Sequence, residues 1–245
     1  MRVADYIANF LVSKDVKDIF MLTGYGAMYI NDAIEISGIN YFATRNEASA
    51  PMMAEAYARL KGKLGVVCVT AGPGATNALP GLAEAFVDSA PIMIISGQVE
   101  TEHTTYNSKL PLRTYGTAEI NIIPIVKPLT KYAKFLDNPY DVRFVLEKAY
   151  HTAMSGRPGP VWIDVPMDIQ NSIIEIDKLK SFNSQENQLD IKSNDLDLVL
   201  KKINNAKKPL IVAGHGIRQG KAENQFKKFI DKFKIPVLFS RLGQD

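Results

Sequence analysis

Short apolar runs alternate along most of the chain with longer stretches whose apolar residues recur at helical spacing. Leu64-Gly65-Val66-Val67-Cys68-Val69 is the clearest of the short runs, and Ile19-Phe20-Met21-Leu22, Ile92-Met93-Ile94-Ile95 and Val161-Trp162-Ile163 share its character. Such runs fill the interior of a parallel sheet, where both faces of a strand are covered. The pattern predicts strands near 17–23, 39–43, 64–70, 92–96 and 161–164, and helices near 3–13, 26–36, 50–61, 76–88 and 140–155. Alternation of this kind predicts an α/β fold built on a doubly wound parallel sheet, whose ligands bind beyond the carboxyl ends of the strands. Gly24, Glu47, Gly72 and Gly97 fall at such ends or just past them.

The alternation breaks in the last third of the chain. From Glu175 to Leu200, through Ser181-Phe182-Asn183-Ser184-Gln185-Glu186-Asn187-Gln188, the sequence is polar, lacks regular periodicity at its start and reads as linker. Residues 1–172 are expected to form one domain, 173–193 the linker, and 194–245 the start of a second, Rossmann-like α/β domain. That start comprises a strand and glycine turn at Pro209-Leu210-Ile211-Val212-Ala213-Gly214-His215-Gly216, an amphipathic helix from Ala222 to Phe233, and a strand at Ile235-Pro236-Val237-Leu238-Phe239. A strand–helix–strand unit cannot bury both faces of its sheet, so the chain is expected to be a piece of a longer polypeptide.

With 245 residues, 46% of them hydrophobic, the chain can bury a full core. A net charge of +3, with Lys201-Lys202 and Lys227-Lys228 as solvated helix faces, argues against a nucleic-acid partner. There is no apolar run of membrane-spanning length and no signal-peptide pattern, so no membrane partner and a cytoplasmic location are expected. The single cysteine, Cys68, allows no internal disulfide and reads as a small buried hydrophobe. His103, His151 and His215 share no ligand spacing, and no metal site is expected within the chain.

Chemistry concentrates around Thr70-Ala71-Gly72-Pro73-Gly74-Ala75-Thr76-Asn77, which follows the clearest strand. Gly72 and Gly74 let backbone turn sharply and approach a ligand, and Asn77 adds an amide at a helix entrance. A lone Gly-Pro-Gly is an ordinary turn; its company makes it specific. Upstream stand Gly24-Tyr25-Gly26-Ala27 and Arg45-Asn46-Glu47-Ala48-Ser49-Ala50. Downstream stand Asp88-Ser89-Ala90-Pro91 with Ser96-Gly97-Gln98-Val99, and Gly159-Pro160-Val161-Trp162-Ile163-Asp164-Val165-Pro166. In this order and spacing the set resembles the N-terminal, pyrimidine-binding domain of thiamine-diphosphate enzymes of the acetolactate synthase type, from about Met1 to Asp168 and more weakly beyond.

The resemblance implies a cofactor, thiamine diphosphate, with Glu47 as the carboxyl that shares a proton with its pyrimidine ring and so activates it. That role needs a carboxyl buried beside the ring and not tied up by Lys or Arg. The structural alternative is an acidic residue in the first turn of its helix, with Ser49 as N-cap. By resemblance Gly72, Pro73, Gly74 and Asn77 pack on the aminopyrimidine. Gly24, Tyr25, Gly26 and Ala27 lie beneath the reacting carbon, with Tyr25 narrowing the pocket where family members often carry Gly. Gln98, Glu119 and Lys131 are implied on the substrate side, Gln98 reading equally well as a plain strand-end residue. Mg2+ and the diphosphate are implied to be held by a domain this chain lacks, so that the chain alone is expected to be inactive. FAD is possible, near His215.

The implied activity is decarboxylation of a 2-oxo acid such as pyruvate and carboligation of the acyl unit to a carbonyl acceptor, a lyase and transferase chemistry. Simple decarboxylation, or a non-catalytic assembly subunit, are the alternatives. Thr117-Ala118, Asn46 and Ala48 depart from the acetolactate synthase pattern, which leaves the acceptor open; similar proteins use sugars. The implied partner is a second copy of the same subunit, as homodimer or homotetramer, with residues 47–60 and 72–88 at the interface. Met52, Met53, Ala56, Tyr57 and Leu60 give the helix there a broad apolar side.

Overall fold

A computed structural model describes residues 1–108, 110–184 and 193–244. The chain divides into two compact units, Met1–Ser184 and Gln185–Asp245. The first contains, in order, α1 (Val3–Ser13), β1 (Asp18–Met21), α2 (Met28–Ser37), β2 (Asn40–Ala43), α3 (Ser49–Lys61), β3 (Gly65–Val69), α4 (Pro73–Asn77), α5 (Leu79–Val87), β4 (Ile92–Gln98), α6 (Ile123–Val126), β5 (Tyr132–Phe135), α7 (Val142–Met154), β6 (Val161–Pro166) and α8 (Met167–Asn171). The second contains α9 (Ser193–Asn205), β7 (Ile211–Ala213), α10 (Gly216–Gln219), α11 (Glu223–Phe233) and β8 (Val237–Phe239).

The six strands of the first unit form one sheet in the order β2-β1-β3-β4-β6-β5, with every neighbouring pair parallel. The expected doubly wound α/β fold is therefore present. Side chains alternate across the strands, so Ile19, Met21, Val66, Cys68, Met93, Ile95, Val161 and Ile163 join one core cluster with α1, α2 and α7. Phe20, Val67, Val69, Ile92, Ile94 and Trp162 face the other way, onto small residues of α3 and α5 such as Ala50, Ala54, Ala58 and Ala85. These alanines let the two helices lie close to the sheet. Strands β3, β4 and β6 are buried along their whole length, as their continuous apolar sequence requires.

Several boundaries differ from the sequence pattern. The helix expected at 76–88 is two helices, because Pro73 and Pro80 each sit in a first turn, where a missing N–H costs nothing. Strand β5 was not predicted: Tyr132-Ala133-Lys134-Phe135 is a short sheet edge with a lysine in its middle, which hides the apolar signal. The linker reading of 175–200 gives way to α9 from Ser193 onward, while residues 185–192 of that stretch lie outside the described residues. In the second unit β7 and β8 pair in parallel. Among the described residues no helix is long and apolar enough to cross a membrane.

Candidate functional site

In the sheet order, β1 and β3 are neighbours whose chains leave in opposite directions, β1 toward β2 and β3 toward β4. A crevice opens at such a switch point beyond the carboxyl ends of the strands. The loop after β1 packs directly on the loop after β3: the Gly26 N–H donates to Thr70 Oγ1 at 3.1 Å. A side-chain carbon at Gly24 would stand 2.5 Å from Thr70 Cβ, which is too close for any residue but glycine. Gly72, at φ +58°, turns the chain from Thr70 into α4, and a Cβ there would overlap the Ala118 carbonyl oxygen.

Glu47 enters this crevice from the loop after β2. Asn46 Oδ1 accepts from the Ser49 N–H at 3.1 Å and from Ser49 Oγ at 3.3 Å, so Asn46 rather than Ser49 closes the first turn. The Glu47 side chain then reaches α4, where its Oε2 accepts from Asn77 Nδ2 at 2.7 Å. Its Oε1 lies over Gly74, 3.1 Å from where a Cβ would stand. Glu47, Gly72, Gly74 and Asn77, distant in sequence, thus meet beside the loop 24–27. The carboxylate is held by an amide, not a cation. It is half-buried instead of enclosed. The arrangement sets a carboxylate and an amide side by side next to glycine backbone, a donor and an acceptor that a polar ring can meet.

The first 124 residues match the model of the thiamine pyrophosphate enzyme N-terminal TPP binding domain, and residues 196–245 match that of the central domain of the same enzymes. The chain belongs to the thiamine pyrophosphate enzyme family. It is 36% identical to the acetolactate synthase large subunit of Lactococcus lactis over 233 residues, 93% of this chain and 39% of that protein. The large subunit of Buchnera aphidicola is 34% identical over 250 residues, 98% of this chain and 42% of that one. Isozyme 3 of Escherichia coli is 32% identical over 248 residues, 98% and 41%. The chain thus spans about two fifths of the length of these relatives.

Around the crevice of this thiamine pyrophosphate enzyme domain the other expected residues take different positions. Tyr25 stands on the rim, 64% exposed. Ala27 is buried at the end of the same turn. Pro73 opens α4. Gln98 is fully enclosed: its Nε2 donates to the Ile120 carbonyl at 3.0 Å and to Asp164 Oδ2 at 3.2 Å, and its Oε1 accepts from the Val99 N–H at 3.1 Å. Glu119 is buried too, accepting from Thr105 Oγ1 at 2.7 Å and from the Tyr115 N–H at 3.3 Å. Both brace the segment over Gly72, and neither presents a free polar atom to the crevice.

Lys131 is not brought to the crevice. It precedes β5, at the opposite edge of the sheet from the strand ends that carry Glu47 and Gly72. Its Nζ donates to the Thr152 carbonyl and to the Ser155 carbonyl at 2.7 Å, closing the end of α7. Partial burial there lowers its pKa.

Two further buried polar residues have roles that the sequence does not assign. Asp164 accepts from Ser96 Oγ at 2.5 Å, which in turn accepts from Trp162 Nε1 at 2.8 Å. Enclosure pushes its carboxyl up to about 7, against the hydrogen bonds of Ser96 and Gln98. Gln170 reaches the carbonyl of Gly26 from α8. Both look in sequence like ordinary polar residues of a strand and a helix; only their enclosure marks them. In the second unit His215 borders a cavity with Ile217, Phe226, Ile230 and Phe239, and its Nδ1 is buried without a hydrogen-bond partner. Among the described residues no group of three or more His, Cys, Asp or Glu is placed to hold a metal ion.

Proposed function

We propose that this protein acts as a thiamine-diphosphate-dependent carboligase of the acetolactate synthase kind, which decarboxylates a 2-oxo acid and transfers its acyl unit to a carbonyl acceptor. The observation that carries this reading is the Glu47 carboxylate held by Asn77 over Gly74, at the switch point of a thiamine pyrophosphate enzyme domain. When bound, the cofactor supplies the carbon that adds to the 2-oxo acid and accommodates the electron pair released with CO2. Glu47 holds a proton against the ring nitrogen of the pyrimidine. Asn77 orients that carboxyl by donating to Oε2, leaving Oε1 toward Gly74 and the ring. Gly72, Pro73 and Gly74 would hold the pyrimidine side of the cofactor, and the loop 24–27 would support the reacting side. Tyr25 narrows access there and, with Thr117 and Ala118, favours an acceptor other than a second pyruvate.

The diphosphate and its Mg2+ are proposed to be held by residues other than those described here, since no suitable cluster is among them. For FAD, the cavity beside His215 offers an unpartnered ring nitrogen and apolar walls. The half-open Glu47 is proposed to be closed off by a second copy of the subunit, in a homodimer or homotetramer working in the cytoplasm. Met52, Met53, Leu60, Phe86 and Val87 on α3 and α5 are exposed, which supports that face as the contact.

The test is exchange of the cofactor's C2 hydrogen in Glu47→Gln. The substitution keeps size and removes the shareable proton, so exchange should fall by about two orders of magnitude or more. Near-normal exchange, with cofactor shown to be bound, overturns the reading.

A further inference from the structure

The loop 24–27 contains no charged residue, yet the two peptides that flank the Gly26 Cα are each fastened by a side chain. The Gly26 N–H donates to Thr70 Oγ1, and the Gly26 carbonyl accepts from Gln170 Nε2 at 2.6 Å. The same Nε2 donates at 2.7 Å to the Val165 carbonyl at the end of β6. Both acceptors are carbonyl oxygens, so the amide must turn its NH2 toward them and its Oε1 away. Gln170 is wholly buried, and Oε1 finds no hydrogen-bond partner. An unmet buried acceptor loses its bond to water with nothing in exchange. The amide therefore gives up one acceptor in order to direct two donors.

The seat is completed from below. A Cβ at Gly97 would overlap the Gly26 carbonyl, so only glycine on β4 lets the loop settle this deeply. Helix α8, which carries Gln170, is itself tied to the segment after β4: Asp168 Oδ1 accepts from the Thr101 N–H and from Thr101 Oγ1, both at 2.9 Å. Three strand ends are thus joined through one short helix, and each of the two peptide planes flanking Gly26 is held by a side chain from outside the loop.

We propose that Gln170 is a positioning residue, acting through the Gly26–Ala27 peptide to fix the height of the loop 24–27 beneath the reacting centre. The inference rests on the function proposed above. Misplacing a reacting group by about 1 Å costs on the order of a hundredfold in rate. Gln170→Met keeps the length of the side chain and removes both donors. Affinity for thiamine diphosphate should stay within about threefold, because Glu47, Asn77 and Gly74 are untouched. With pyruvate as substrate, kcat should fall by about 10- to 100-fold while KM changes by less than about threefold.

Hydrogen exchange at the Ala27 amide, which shares its peptide with the Gly26 carbonyl, tests the anchoring without reference to activity when read in the full-length protein without cofactor. It should rise by about tenfold or more in Gln170→Met, with protection in β3 and β4 unchanged. Unchanged exchange at Ala27 overturns the proposal, and so does a freed loop with kcat within twofold of the wild type. If Gln170→Met does not fold, Gln170→Leu removes the same two donors and is judged by the same two criteria. A wild-type protein that binds no thiamine diphosphate sinks the functional reading instead; exchange at Ala27 then decides the anchoring alone.

Discussion

Asp164 shows how far enclosure alone changes a side chain. Its carboxyl is 1% exposed, with Ser96 and Gln98 as hydrogen-bond partners and Glu119 adding repulsion, and its pKa rises from 3.8 to about 7. A group whose proton is held more tightly in the folded state stabilises that state below its unfolded pKa and loses the contribution as pH rises through the folded one. Stability should therefore decline between about pH 4 and 7 by an amount on the order of a few kcal/mol. Asp164→Asn, which mimics the protonated group, should flatten that decline and leave the protein more stable than the wild type at pH 8. Urea titrations at several pH values check this; an unchanged decline in the variant would assign it elsewhere. Cys68, fully buried between β1 and β4, has its thiol pushed up to about 12 by enclosure and is no nucleophile. Its mid-strand position made that legible in the sequence. The enclosure of Asp164 was not, because it depends on Trp162, Ser96 and Gln98 arriving from two strands.

Elements were legible where a whole face is apolar. The ends of α1 coincide with the expected 3–13, and β3 fills most of 64–70. They were illegible where a contact from elsewhere decides. Lys131 is the clearest instance: its position in the motif suggests a substrate contact, whereas folding makes it the cap of α7, whose last carbonyls point at it. Lys131→Met should cost about 1 kcal/mol of stability by leaving those carbonyls unmet. It should leave kcat and KM within about twofold, in line with a site on the other edge of the sheet. A large loss of activity at unchanged stability, measured by steady-state kinetics and thermal melts together, would return Lys131 to the substrate side.

At the scale of the molecule, the first unit presents apolar side chains on the side of the sheet that also carries Glu47. Leu60 is 73% exposed and Val87 69%, beside Met52, Met53 and Phe86. Single exposed apolar residues are ordinary; several on two adjoining helices mark a contact surface. The active full-length protein is expected to be at least a homodimer through α3 and α5, and Val87→Lys with Met53→Glu should shift it toward monomer and lower activity together. Light scattering of the full-length protein at assay concentration, alongside kinetics, checks both. An active monomer would mean that a second copy does not complete the crevice.

The sequence by itself determined the alternation of strands and helices, the parallel sheet that follows from it, and the two glycine loops with a carboxylate between them. Those features are local: apolar periodicity, glycine positions and residue type act over a few neighbours. Only tertiary structure decided that Asn77 holds Glu47 over Gly74, that Gln98 and Glu119 serve as buried braces, and that Gln170 fastens the loop 24–27. Each of those roles is set by which partner satisfies a polar atom removed from water. The partners are separated by 30 residues for Glu47 and Asn77 and by 144 for Gln170 and Gly26, and no pattern within a single segment encodes their meeting.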